Sequence, residues 1–162
     1  MVTSLAVDLG LVRLLVGAVP DPEVPVLTID DLGVLRGVEE VEGRVIVTIT
    51  PTYSGCPAMH HIEHAILDVL AEAGVEGEVQ TVLGPAWTTD WMTDQGRRKL
   101  REYGIAPPAP TVTAVGISPR PVACPRCGST HTETVSEFGS TACKALRRCL
   151  DCREPFDHFK EL

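Results

Sequence analysis

Arg44-Val45-Ile46-Val47-Thr48-Ile49-Thr50-Pro51-Thr52-Tyr53-Ser54-Gly55-Cys56-Pro57 is the stretch that decides the fold. Arg44–Thr50 is rich in β-branched residues and alternates well, which predicts a strand. Pro51 to Pro57 reads as a loop that opens a helix. Beyond it, Ile62, Ala65, Ile66, Val69 and Leu70 recur at helical spacing, and Gly74 supplies the stop. Upstream, the Glu42-Gly43 turn joins this strand to another over Val34–Glu40. Downstream, Glu78–Leu83 reads as a third strand. Leu5, Leu9, Val12, Val16 and Val19 predict an N-terminal helix over residues 5–18. A basic helix, Gln95–Tyr103, is capped by Thr93 or Asp94 and stopped by Gly104. The order α-β-β-α-β-α predicts an α+β fold: a small α/β sandwich whose mixed sheet carries its helices on one face.

Two cysteine pairs near the other end, Cys124-Pro-Arg-Cys127 and Cys149-Leu-Asp-Cys152, carry the strongest chemical signal. A CxxC turn lets two thiolates reach one cation, and two such turns separated by a β-hairpin complete a Cys₄ site with zinc-ribbon spacing. The gap from Gly128 to Arg148 is slightly longer than usual, so a longer hairpin arm is expected. Redox thiols or disulfides are the competing readings, and the symmetric, turn-rich pairs disfavour a thioredoxin-type site. Arg153 follows Cys152 where a glycine often closes such a turn, as Gly128 does after Cys127. The expected organisation is a first domain over 1–104, a proline-rich linker or strap over 105–121 containing Ala106-Pro107-Pro108-Ala109-Pro110, and a zinc-ribbon β mini-domain over 122–162.

Composition narrows the function. Of 162 residues, 44% are hydrophobic, so an ordered core is expected; only 4% are aromatic, so Val, Leu, Ile and Ala must build it. Residues 1–104 hold seven basic and sixteen acidic side chains, whereas 121–162 hold six of each. Neither part has the basic footprint of a nucleic-acid binder. No segment is apolar enough to span a membrane, and Leu5–Val19 does not read as a signal peptide. A cytoplasmic location follows as an expectation, and in that reducing compartment paired cysteines favour metal. No phosphate loop or hydrolase elbow is present.

Cys56 stands apart from the pairs, where the strand gives way to the helix. Pro57 suits the first helical position, which puts Cys56 at or beside the N-cap, in a partly positive field that favours thiolate. Thr52, Tyr53 and Ser54 bring hydroxyls nearby. The alternative is a small packed residue at a loop. His60 and His64 lie one turn apart, but no third metal ligand is evident and a solvated helix face explains them. Trp87 and Trp91 read either as core anchors or, if exposed, as a docking pair.

Asp21-Pro22-Glu23, Asp31-Leu32-Gly33 and Thr50–Pro57 together resemble the SufT-like iron–sulfur assembly domain. Trp87-Thr88-Thr89-Asp90-Trp91, Gly104-Ile105-Ala106-Pro107-Pro108, Phe138–Leu146 and Glu154–Lys160, with the two CxxC turns, narrow the resemblance to the PaaD (PaaJ) family. That family accompanies phenylacetyl-CoA epoxidase, a multicomponent oxygenase of phenylacetate catabolism. The resemblance implies a non-catalytic accessory protein that helps assemble an iron–sulfur or iron centre. It implies structural zinc on Cys124, Cys127, Cys149 and Cys152, and transient iron or an iron–sulfur cluster at Cys56. Asp21 and Glu23 match the acidic entry motif, although Asp21 also reads as a simple turn cap. Implied partners are epoxidase components, the iron–sulfur reductase or the di-iron oxygenase; homodimerisation is left open. The other reading of the same resemblance is a bridging component of the epoxidase complex with a structural Cys56. Cys143 belongs to neither pair: it is a packed thiol, a spare zinc ligand or a partner for Cys56.

Overall fold

The computed structural model describes residues 7–110 and 120–162. The chain forms two compact units, one up to Trp87 and one from Thr88 onward. Leu5 and residues 111–119 of the expected linker lie outside the described residues.

The first unit is built around β2 (Arg44–Ile49). It pairs antiparallel with β1 (Leu35–Val41) and parallel with β3 (Gly77–Thr81), giving the mixed order β1-β2-β3. As the central strand, β2 buries Val45, Ile46, Val47 and Ile49. Helix α1 (Leu9–Gly17) contributes Val12 and Val16 to the core, and α2 (Ala58–Glu72) contributes Ile62, Ile66 and Leu70. Each such side chain, fully buried, is worth about 1.5–3 kcal/mol. Helix α1 starts later than its apolar period suggested. Asp8 caps it by accepting the Leu11 N–H at 3.1 Å, a local bond that hydrophobic spacing does not register.

The segment between α1 and β1 is a folded connection. Asp21 accepts the N–H groups of Glu23 at 2.9 Å and Val24 at 2.7 Å. Asp31 accepts the Thr28 N–H while the Thr28 hydroxyl accepts the Asp31 N–H, both at 3.1 Å. Leu27, Ile29 and Leu32 fill the core between these turns. Trp87 closes the unit: it is buried, and its indole N–H donates to the Leu32 carbonyl at 2.9 Å. Trp87 is therefore a core anchor, and the exposed tryptophan pair is not found.

In the second unit, α3 (Asp94–Tyr103) follows a short 3-10 turn, Thr89–Trp91. Thr93 caps it, accepting the Gly96 N–H at 3.0 Å, and Gly104 ends it at φ +94°. The expected boundary after residue 104 is thus displaced to Trp87. The reason is local: Ile105–Ala106 is not linker but a strand, β4, which pairs in parallel with β7 (Pro155–Phe159). Arg97 also ties α3 into this unit, donating to the carbonyls of Thr89 and Pro108. With β5 (Thr132–Ser136) and β6 (Lys144–Cys149), the sheet runs β4-β7-β6-β5. β5–β6 is the hairpin expected between the cysteine pairs, and residues 137–143 form its long arm.

Candidate metal and thiol sites

The four paired cysteines converge. The ligand sulfurs of Cys124, Cys127, Cys149 and Cys152 all lie within 4.8 Å of one another. The separations are 3.8 Å for Cys124–Cys152 and 3.5 Å for Cys127–Cys149. Tetrahedral Zn–S bonds of about 2.3 Å place sulfurs ~3.8 Å apart, so the donor set fits one such cation. These distances are far beyond the ~2.05 Å of a disulfide. All six cysteines are free.

Local backbone makes the first turn: the Gly128 N–H donates to the Cys124 carbonyl at 2.9 Å, with Gly128 at φ +76°. The second turn uses Arg153 at φ +64° for the same purpose. The missing glycine therefore does not abolish the turn; a left-handed arginine makes it. A bridge between the turns was not foreseen. Asp151 accepts from the Ser129 hydroxyl and faces His131 Nδ1 at 3.0 Å. Those contacts hold its carboxyl below the usual carboxylate range. Nothing in the spacing marks Asp151, because its partners lie some twenty residues away.

Thiol electrostatics show what the turns demand. Backbone N–H groups, that of Cys152 foremost, lower Cys149 to about 7. The Glu154 N–H favours the Cys152 thiolate, but burial and the three neighbouring sulfurs outweigh it and push Cys152 up to about 12. Four sulfurs this close cannot all be anionic without a cation. A divalent ion removes that conflict.

Cys143 is not a fifth member of the group. It is buried in the second unit, its sulfur 3.0 Å from the Thr141 hydroxyl, and its carbonyl accepts the Lys160 N–H at 2.9 Å. The packed-thiol reading describes it.

In the first unit, Cys56 is partly buried just ahead of α2. Pro57 is the N-cap rather than the first helical residue and offers no side-chain cap, so Cys56 stands one position earlier. Gly55 turns the chain at φ +80°. The Cys56 N–H donates to the Tyr53 carbonyl at 3.3 Å, and the Cys56 carbonyl accepts the Met59 N–H at 3.3 Å. Burial pushes the thiol above its ordinary value. Hydrogen bonds from the Ala58 N–H and the Tyr53 hydroxyl oppose that rise, and the charges of Glu23 and Asp21 add to it. The expected thiolate preference is therefore overturned: the helix-end amide acts as anticipated, but desolvation and two carboxylates win. Those carboxylates place the Asp21–Glu23 motif within electrostatic reach of the sulfur. His60 and His64 are exposed on α2, and His60 faces Glu63 at 3.8 Å. Among the described residues they join no group of three or more potential metal ligands.

Comparison with known proteins fits both halves. The iron–sulfur cluster assembly protein family matches residues 12–83, and the PaaD zinc beta ribbon domain matches residues 108–160. A protein of Escherichia coli (strain K12) described as a putative 1,2-phenylacetyl-CoA epoxidase component is 55% identical over 148 residues, covering 90% of this chain and 88% of that protein. The chain belongs to the PaaD family. An Fe-S protein maturation auxiliary factor of Porphyromonas gingivalis is 35% identical over 83 residues, 49% of this chain and 78% of that one. The crystal structure of a domain of unknown function, DUF59, from Bacillus anthracis covers 57% of this chain and 90% of its own, at TM-score 0.53 and 28% identity. The PaaD ribbon match begins at Pro108, inside the segment read as a linker. No helix among the described residues is long and apolar enough to cross a membrane.

Proposed function

We propose that this PaaD-family chain is a non-catalytic maturation factor of a phenylacetyl-CoA epoxidase system, acting in the cytoplasm and carrying iron or an iron–sulfur fragment on Cys56. The observation that carries this reading is the surroundings of that sulfur. It is held as a neutral thiol by burial and by Glu23 and Asp21, yet the Ala58 N–H and the Tyr53 hydroxyl already point at it. The negative field that disfavours a bare thiolate attracts a cation. When a ferrous ion approaches, the thiol proton leaves to solvent, and the new thiolate keeps both donors. Capture is thus coupled to the arrival of cargo, and the loaded sulfur stays partly shielded. A single protein sulfur suits a carrier that must release its load; the four ribbon sulfurs suit retention of structural zinc.

The names of the two relatives support this role, one as part of an epoxidase and one as a maturation factor. The recipient under this reading is the iron–sulfur reductase or the di-iron oxygenase of the system. Anaerobic reconstitution with ferrous iron and sulfide tests it. Wild type is expected to gain visible absorption and stoichiometric iron, and Cys56→Ser to gain neither while keeping its zinc. Equal uptake by the two proteins sinks the role. A tight stoichiometric complex with an epoxidase component, unaffected by Cys56→Ser, would instead establish the bridging reading.

A further inference from the structure

The basic helix α3 is used by neither site, yet it forms one wall of a cleft of about 600 Å³ within the second unit. Arg97 and Arg101, one helical turn apart, face into it from α3, and Arg120 faces in from the segment that leads to Cys124. The remaining lining is largely alanine and proline from 106–110 and 121–125. Lining of this kind, apolar with a few convergent charges, is what small-molecule sites use, and the volume lies in their range.

The guanidinium groups are not equivalent. Arg97 is fixed by the Thr89 carbonyl at 2.7 Å and by the Pro108 carbonyl. Arg120 donates to the Pro110 carbonyl at 2.8 Å. Carbonyls orient these two without neutralising them. Arg101 is exposed on the last turn of α3 and shows no ion pair or side-chain hydrogen bond among the described residues. The one carboxylate in the lining, Glu161, is already committed. It accepts the Ala109 N–H at 3.0 Å and faces His158 Nε2 at 3.7 Å, which with that N–H lowers it to about 2. It therefore remains an anion that holds the proline segment in place. Three guanidinium charges against one carboxylate leave a net positive cleft on a chain whose formal charge is −8.

We propose that this cleft binds a small phosphate-bearing organic anion, with Arg101 as the mobile clamp and Arg97 and Arg120 as preset donors. Guanidinium forks match phosphate oxygens in bidentate fashion, and the alanine–proline walls accept an apolar or planar body. An acidic peptide of a partner is the competing occupant. A closed concavity with rigid proline walls favours the compact ligand over an extended chain.

Calorimetric titration of the zinc-loaded full chain with ADP and with inorganic phosphate tests this. ADP is expected to bind with one-to-one stoichiometry, tighter than phosphate, and to weaken as salt rises. Arg101→Gln is expected to weaken ADP about tenfold, the loss of one charged hydrogen-bonding group. Arg101→Lys should recover only part of that affinity, and Arg98→Gln, outside the cleft, should lose none. Both arginines are exposed, so folding is preserved. Three results would overturn the proposal: no heat with millimolar ADP or phosphate; equal weakening by Arg98→Gln and Arg101→Gln; or tight binding of a glutamate-rich peptide that ADP does not displace.

Discussion

The two cysteine sites solve opposite problems with the same atom. At the ribbon, four sulfurs are brought within 4.8 Å of one another by backbone turns, and their mutual repulsion is relieved only by a cation that stays. At Cys56 one sulfur is kept protonated by burial and two carboxylates, and among the described residues it joins no cluster of metal-ligating groups. The first is a staple whose metal belongs to the fold. The second is a poised ligand in a unit that folds without it. The difference lies in what surrounds each site: the ribbon core has few large side chains, chiefly Phe156 and Phe159 with Ala106, Val122 and the cysteines themselves, whereas the first unit buries a full aliphatic set around β2.

Removing the metal should have the largest effect. Structural zinc contributes about 10–16 kcal/mol of apparent binding energy in small metal-dependent folds. Chelation at neutral pH, or Cys149→Ser, is expected to abolish amide-exchange protection across β5, β6 and β7 while β1, β2 and β3 keep theirs. Survival of the ribbon sheet without metal would end the staple reading. Loss of both sheets together would end the claim that the units differ in what holds them.

The converse perturbation falls on the first unit. A Cβ on Gly77 would lie 2.5 Å from the Val45 carbonyl oxygen and 3.0 Å from Leu70 Cδ1, at the point where β3 pairs with β2. Backbone must move to admit it. Gly77→Ala is expected to destabilise the first unit by about 1–3 kcal/mol in chemical denaturation, with zinc content unchanged. A neutral outcome would show that this strand start is looser than its register implies.

Much of this contrast was legible in the residues, and the exceptions have physical causes. Alternation fixed β2 and helical spacing fixed α2, because one burial direction dominates each. The Cys₄ group was legible from spacing because a tetrahedral site needs two tight turns and little else. The boundary at Trp87 was not: β4 is only two residues long, too short to show a period, and its pairing with β7 joins segments some fifty residues apart. The charge state of Cys56 was misread for a similar reason. The helix end is visible locally, but burial and the approach of Glu23 and Asp21 come from a loop more than thirty residues upstream. Asp151 was missed because its partners Ser129 and His131 are distant in the chain.

A smaller effect separates the two ribbon turns from each other. Arg153 occupies the left-handed region at φ +64° in the second turn, as Gly128 does at φ +76° in the first. An L side chain there costs about 1 kcal/mol, which glycine avoids. Arg153→Gly is expected to raise the stability of the zinc-loaded second unit by up to about 1 kcal/mol and to slow zinc transfer to a chelator. The gain is limited because glycine also loosens the unfolded chain. No change in zinc release would mean that the turn is set by the metal rather than by the backbone.

The smallest effect on stability, and the sharpest on chemistry, belongs to Cys56. Its raised thiol pKa works in a definite direction. The folded state prefers the neutral form, so this contribution is fully present below the unfolded cysteine value and is lost as pH rises through the folded one. At neutral pH, Cys56→Ser should therefore shift unfolding by no more than about 0.5 kcal/mol, the range of substitutions that remove no buried network. Alkylation isolates the same group when the ribbon thiols are held by zinc and Cys143 is buried. The rate at Cys56 should follow a pH profile displaced above that of an unperturbed thiol. Glu23→Gln should move the profile downward, because a carboxylate charge that opposes thiolate formation is gone. Tyr53→Phe should move it upward, because a donor to the thiolate is gone. If Glu23→Gln leaves the profile in place while Tyr53→Phe moves it, the acidic motif acts on the backbone turn alone. If neither moves it, Cys56 is a packed thiol, and metal chemistry in the described residues falls to the ribbon's four sulfurs.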